Sequence, residues 1–129
     1  MSSQQPLSIL LVEDEECAVE LIHSMLTMAF PQANIYCAAD GKAGLDCFRA
    51  QLPDVVITDI NMPEMDGVAM LAAISAIKPD TRIVVVTAIT DRANLEKVAA
   101  AQISYELIAK PIDFNALFAA ITDGMATRY

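Results

Sequence analysis

The sequence predicts an α/β fold of the doubly wound type: a five-stranded parallel sheet in the order 2-1-3-4-5, with helices on both faces. Three observations lead there. Short β-branched runs alternate with helix-period stretches from one end of the chain to the other. The connections between them are short, and parallel strands need a crossover that a helix supplies. The composition is aliphatic, with 55% hydrophobic residues, only 5% aromatics and no Trp, as expected for helices packed on a Val/Ile-rich sheet. Right-handed crossovers leave few strand orders, and 2-1-3-4-5 is the natural one for five strand-helix units. At 129 residues there is room for one core, so residues 1–129 read as a single domain.

Each element has its own signal. SILLV at 8–12 reads as a buried strand. Val19, Ile22, Leu26 and Ala29 then recur at helical spacing until Pro31 ends the pattern. Residues 34–38 form a weaker second strand. Asp40 is placed as the N-cap of a helix carrying Leu45, Phe48 and Leu52. DVVIT at 54–58 is the third strand, followed by the turn chemistry NMPEMDG at 61–67 and a helix presenting Val68, Leu71, Ile74 and Ile77. RIVVV at 82–86 is the most apolar strand and is expected to be central. An Ala-rich helix over 91–101 turns Leu95 and Val98 inward. A fifth strand covers 107–109, and Asp113 caps a last helix whose Phe114, Leu117, Phe118, Ile121 and Met125 follow one stripe.

The charge balance excludes whole classes of function. Seventeen acidic side chains against 8 basic ones leave a net charge of −9, with no basic cluster. Nucleic-acid binding requires a basic face, and an acidic surface disfavours anionic membranes. No apolar run approaches the ~20 residues that span a bilayer. Cys17, Cys37 and Cys47 are odd in number and lack CxxC spacing, so they read as buried small hydrophobes in a reducing, cytoplasmic setting.

In open α/β sheets, ligands bind at the carboxyl ends of the strands, near the point where strand order reverses. Glu13, Asp14, Glu15 and Glu16 follow the first strand, Asp59 ends the third, Thr87 the fourth and Lys110 the fifth. The predicted order makes strands one and three neighbours, so Asp14 and Asp59 should lie side by side with Glu13 close by. Two like charges at ~4 Å repel by about 4 kcal/mol at an effective dielectric of about 20. A bound hard cation relieves that repulsion, and Mg²⁺ suits it because it takes one or two carboxylates and leaves positions for phosphate oxygens. Lys110 and Thr87 add a fixed cation and a hydroxyl. Such a set around one carboxylate is built to neutralise a transferring phosphoryl group, with Asp59 as nucleophile.

Four motifs then carry a family likeness: ILLVEDEE at 9–16, DVVITDINMPEMDG at 54–67, VVVTA at 84–88 and AKPID at 109–113. Over essentially its whole length the chain resembles the receiver domains of two-component response regulators, whose fold is the flavodoxin-like (βα)5 arrangement. The resemblance implies that Glu13 and Asp14 hold Mg²⁺ with Asp59, the phosphoacceptor, and that the backbone carbonyl of Asn61 completes the metal shell. It implies that Thr87 moves toward the phosphoryl group, that Lys110 pairs with it, and that Pro63, Gly67 and Pro111 serve turns. The donor is expected to be a phosphohistidine on a sensor histidine kinase or histidine phosphotransfer protein. The output partner is expected to engage the face of helix four, strand five and helix five. The chain would catalyse only its own phosphorylation and dephosphorylation.

The pattern is departed from in two places. Leu107 stands where the family carries an aromatic three residues before the lysine, and Tyr105 lies about 7 Å farther along the strand at ~3.3 Å per residue. Gln102-Ile103-Ser104 replaces a glycine-containing turn. Rival functions fare less well. A dehalogenase-type phosphatase needs its acid pair after the first strand and a cap domain. A flavin carrier would not place EDEE where the flavin phosphate sits. A pseudo-receiver would not need the complete acidic set. His23, in mid-helix, is expected on the surface or half-buried.

Overall fold

The computed structural model describes residues 6–60, 67–88 and 92–126. Five strands alternate with five helices: β1 (Ser8–Val12), α1 (Glu16–Ala29), β2 (Asn34–Ala38), α2 (Gly41–Gln51), β3 (Val55–Thr58), α3 (Gly67–Ile77), β4 (Arg82–Thr87), α4 (Arg92–Ala100), β5 (Glu106–Ala109) and α5 (Phe114–Ala126). The strands pair in parallel in the order β2-β1-β3-β4-β5. The expected doubly wound architecture and strand order are both present. The central strand is β3, not β4; the extra apolarity of β4 reflects burial on both faces rather than the middle position.

Side chains on successive strand residues point to opposite faces, and this alternation splits the core in two. Leu10, Val12, Val56, Ile83 and Val85 face α2, α3 and α4, meeting Phe48, Met70, Leu71, Ile74 and Val98. Ile9, Leu11, Val55, Ile57, Val84 and Val86 face α1 and α5, meeting Ile22, Leu26, Leu117 and Ile121. Phe118 packs edge-on to Phe30 with ring centroids 5.8 Å apart, joining α5 to the end of α1.

The caps follow their residue chemistry. The Asp40 carboxylate accepts the Ala43 N–H at 2.8 Å, and Asp113 accepts those of Asn115 and Ala116 at 3.0 and 3.3 Å. At α1 the N-cap is Glu15, and its side chain makes no capping hydrogen bond. Two glycines mark close approaches. A Cβ on Gly44 would lie 3.0 Å from Val12 Cγ2, and one on Gly67 would lie 3.2 Å from the Ile60 Cα.

Several apolar assignments are corrected. Leu52 is not on the inner face of α2: it caps that helix at φ 46° and is half-exposed, since the residue before a proline avoids the helical region. Ile77 is exposed because α3 ends there, ahead of Pro79. Cys17 and Cys37 are exposed and only Cys47 is partly covered; Cys37 lies on β2, an edge strand with one flank open. His23 is exposed on α1, as expected. Gln102 adopts φ 60°, so the turn before β5 keeps a left-handed residue without glycine.

Candidate functional site

The site forms where β1, β3, β4 and β5 end together. β1 ends at Val12, and the Glu13 N–H makes the last bond of the β1–β2 ladder, to the Ala38 carbonyl at 3.0 Å. The Glu13 side chain is buried at the rim, 4% exposed. Its Oε2 accepts the Glu15 N–H at 3.2 Å. Asp59 follows β3, keeps an N–H bond to the Val12 carbonyl at 3.3 Å and is 7% exposed. Lys110 follows β5, and its N–H donates to the Thr87 carbonyl at 3.0 Å, so the last residue of β4 anchors the lysine's backbone. The peptide bond from Lys110 to Pro111 is cis.

Lys110 Nζ donates to Asp59 Oδ2 at 2.7 Å, the length of a strong charge-assisted bond, and stands 3.9 Å from Glu13 Oε1. One ammonium thus serves two buried carboxylates. Burial pushes the Glu13 carboxyl above its ordinary value; the Glu15 amide and Lys110 pull it back, while Asp59 and Asp14 push it further up. Burial alone would lower Lys110, but the bond to Asp59 and the charges of Asp59, Glu13 and Glu15 lift it instead. Thr87 is fully buried, and its hydroxyl has no hydrogen-bond partner among the described residues. A buried hydroxyl left unpaired is costly, and it is available to an incoming acceptor.

Glu13, Asp59, Thr87 and Lys110 are therefore gathered at one rim. Asp14 is exposed at the same rim, its side chain in hydrogen-bonding reach of the Glu13 carboxylate. No three His, Cys, Asp or Glu side chains among the described residues stand close enough together to hold a metal. The lysine's charge occupies the place between Glu13 and Asp59. The donor chemistry nonetheless fits Mg²⁺, since every side-chain ligand on offer is a carboxylate oxygen. Asn61, Pro63 and the residues around them lie outside the described residues.

Leu107 is 42% exposed on β5, while Tyr105 packs against the core beneath α2, α3 and α4. The tyrosine is thereby committed to the core. Sequence reasoning missed Thr58, whose fully buried hydroxyl donates to the Asp59 carbonyl at 3.0 Å. The available signal was a hydroxyl at the end of an otherwise aliphatic strand, directly before the key aspartate.

Comparison with known proteins agrees with this fold. The family model described as the response regulator receiver domain matches residues 9–122. The chain is 34% identical over 126 residues to a probable chemotaxis protein CheY of Rhizobium etli, covering 94% of each. It is 32% identical over 124 residues to the transcriptional regulatory protein GlrR of Escherichia coli, covering 95% of this chain but only 27% of that one. It thus spans about a quarter of the length of the regulators it matches in this way. Among solved structures, a response regulator receiver domain protein from Clostridium thermocellum superposes with a TM-score of 0.84 at 27% identity, covering 95% of this chain and 96% of that one. No helix among the described residues is long and apolar enough to cross a membrane. The four strand ends that meet around Lys110 all fall within the matched segment, and the chain belongs to the receiver-domain family of two-component response regulators.

Proposed function

We propose that the chain is a phosphoacceptor switch in which Asp59 takes a phosphoryl group from a phosphohistidine of a sensor histidine kinase or phosphotransfer protein in the cytoplasm. The observation that carries this reading is the 2.7 Å contact of Lys110 with a buried Asp59, at the same rim as Thr87, whose buried hydroxyl has no partner among the described residues. In the transfer, an Asp59 carboxylate oxygen attacks phosphorus and forms the P–O bond. The P–N bond breaks with its electron pair going to the imidazole, which takes up a proton. Lys110 holds Asp59 in place and then faces the oxygens of the new acyl phosphate. The Thr87 hydroxyl donates to one of those oxygens. Glu13, Asp14 and Asp59, with the Asn61 carbonyl, would hold Mg²⁺, which supplies positive charge to the phosphoryl oxygens.

The switch is read out by a partner or an attached output domain through the face of α4, β5 and α5, where Leu107 offers an exposed apolar side chain. Phosphorylation biases a two-state equilibrium on that face. The chain turns over no other substrate. Incubation with Mg²⁺ and acetyl phosphate, followed by intact-mass measurement, tests the reading. One added phosphoryl group is expected in the parent and none in Asp59→Asn; a labelled Asp59→Asn would refute it.

A further inference from the structure

We propose that Thr58 is a positioning residue for the phosphoacceptor, its hydroxyl fixing the peptide on which the Asp59 carboxylate is mounted. The inference rests on the role of Asp59 proposed above.

The position is apolar by every other measure. Thr58 is fully buried, follows the buried Val55, Val56 and Ile57, and pairs in register with Val12 on one side and Val85 on the other. Valine has the same shape and would fill the space without a polar atom to desolvate. Packing therefore gives no reason for a hydroxyl. The reason lies in its bond, at 3.0 Å, to the carbonyl of the next residue, Asp59.

That carbonyl sits where the sheet comes apart. The β1–β2 and β1–β3 ladders both end at Val12, paired with Ala38 on one side and Thr58 on the other, and the Glu13 and Asp59 N–H groups make their last bonds. Asp59 still donates to Val12, but at 3.3 Å, longer than the 3.0 Å of the Glu13 bond beside it. The residue that carries the carboxylate thus lies just past the regular ladder. Bonds on its N–H and on its carbonyl fix its backbone dihedrals, and with them the direction of its Cα–Cβ bond. The 2.7 Å contact with Lys110 depends on that direction. Reaction geometry is steep in displacement: a misplacement of about 1 Å costs about a hundredfold in rate.

The test compares initial rates of labelling by acetyl phosphate with Mg²⁺, using intact mass and the whole chain, for the parent, Thr58→Val and Thr58→Ser. Thr58→Val is expected to lower the maximal rate about tenfold, a fraction of that displacement penalty. Its half-saturating acetyl phosphate concentration and its melting temperature should stay close to the parent's. Thr58→Ser, which restores the hydroxyl, should recover most of the rate; a purely structural role would not give that recovery. A labelled parent with an equally fast Thr58→Val overturns this proposal alone, as does a Thr58→Ser as slow as the valine variant. A parent that takes no label overturns the role of Asp59 and this proposal together. Should Thr58→Val not fold, Thr58→Ala against Thr58→Ser isolates the same hydroxyl, and equal rates in that pair overturn the proposal.

Discussion

The two ends of β3 carry the same pair of charges and treat them differently. At the amino end, Asp54 accepts the Ser8 N–H at 3.0 Å and lies 3.9 Å from Lys78, which also reaches Asp80 at 3.8 Å and the Pro53 carbonyl at 3.4 Å. Both partners there keep about a fifth to a quarter of their side-chain surface in water. At the carboxyl end, Asp59 and Glu13 are nearly dry and share one ammonium. The lower cluster is a solvated brace holding turns together. The upper one concentrates buried negative charge on one ammonium, and the Thr87 hydroxyl at the same rim has no partner among the described residues. Stability favours the first arrangement; chemistry needs the second.

The sharpest way to break the comparison is to neutralise each aspartate. Asp59→Asn should abolish uptake of a phosphoryl group, whereas Asp54→Asn should label at close to the parent rate, both read by intact mass. Next in size is the lysine pair. Lys110→Ala is expected to slow labelling about a hundredfold or more, as loss of a group aimed at developing charge does. Lys78→Ala should cost about 0–1 kcal/mol in a urea melt and leave labelling unchanged. A smaller effect should come from Gly67→Ala, whose new Cβ meets backbone at 3.2 Å. It should destabilise by about 1–3 kcal/mol, measured as a shift of the urea midpoint.

The smallest effect lies in the pH dependence. Glu13 has a folded pKa raised above 4.5, chiefly by burial, so the folded state holds its proton more tightly than the unfolded chain. Its contribution is most favourable below 4.5 and is lost as pH rises through the raised value. In chelator-containing buffer, Glu13→Gln should gain stability relative to the parent as pH rises through that window, with the two converging below 4.5. A gap that narrows with rising pH would mean that Lys110 outweighs burial at this carboxylate.

Much of the molecule was legible before any coordinates. Asp40 and Asp113 announce their helices because capping is local chemistry between a side chain and amides two or three residues away. The alternation of Leu10 and Val12 with Ile9 and Leu11 needed a second covering layer to become visible, since a strand buried on both faces loses its period-two pattern. Leu52, Ile77, Cys17 and Cys37 misled because apolarity records a preference for burial, while the end of a helix or the open flank of an edge strand decides whether it is met.

By itself the sequence determined the succession of elements, the parallel sheet and the identity of the residues at its carboxyl rim, because period, caps and turn residues act over a few positions along the chain. Only the tertiary structure decided that Lys110 bonds Asp59 with Glu13 behind it, and that the Thr58 hydroxyl turns to the Asp59 carbonyl. Those contacts join residues 51 positions apart or more, or depend on where a ladder stops. They follow from strand register and from the point at which β1 leaves the sheet, and neither is written in any local stretch of residues.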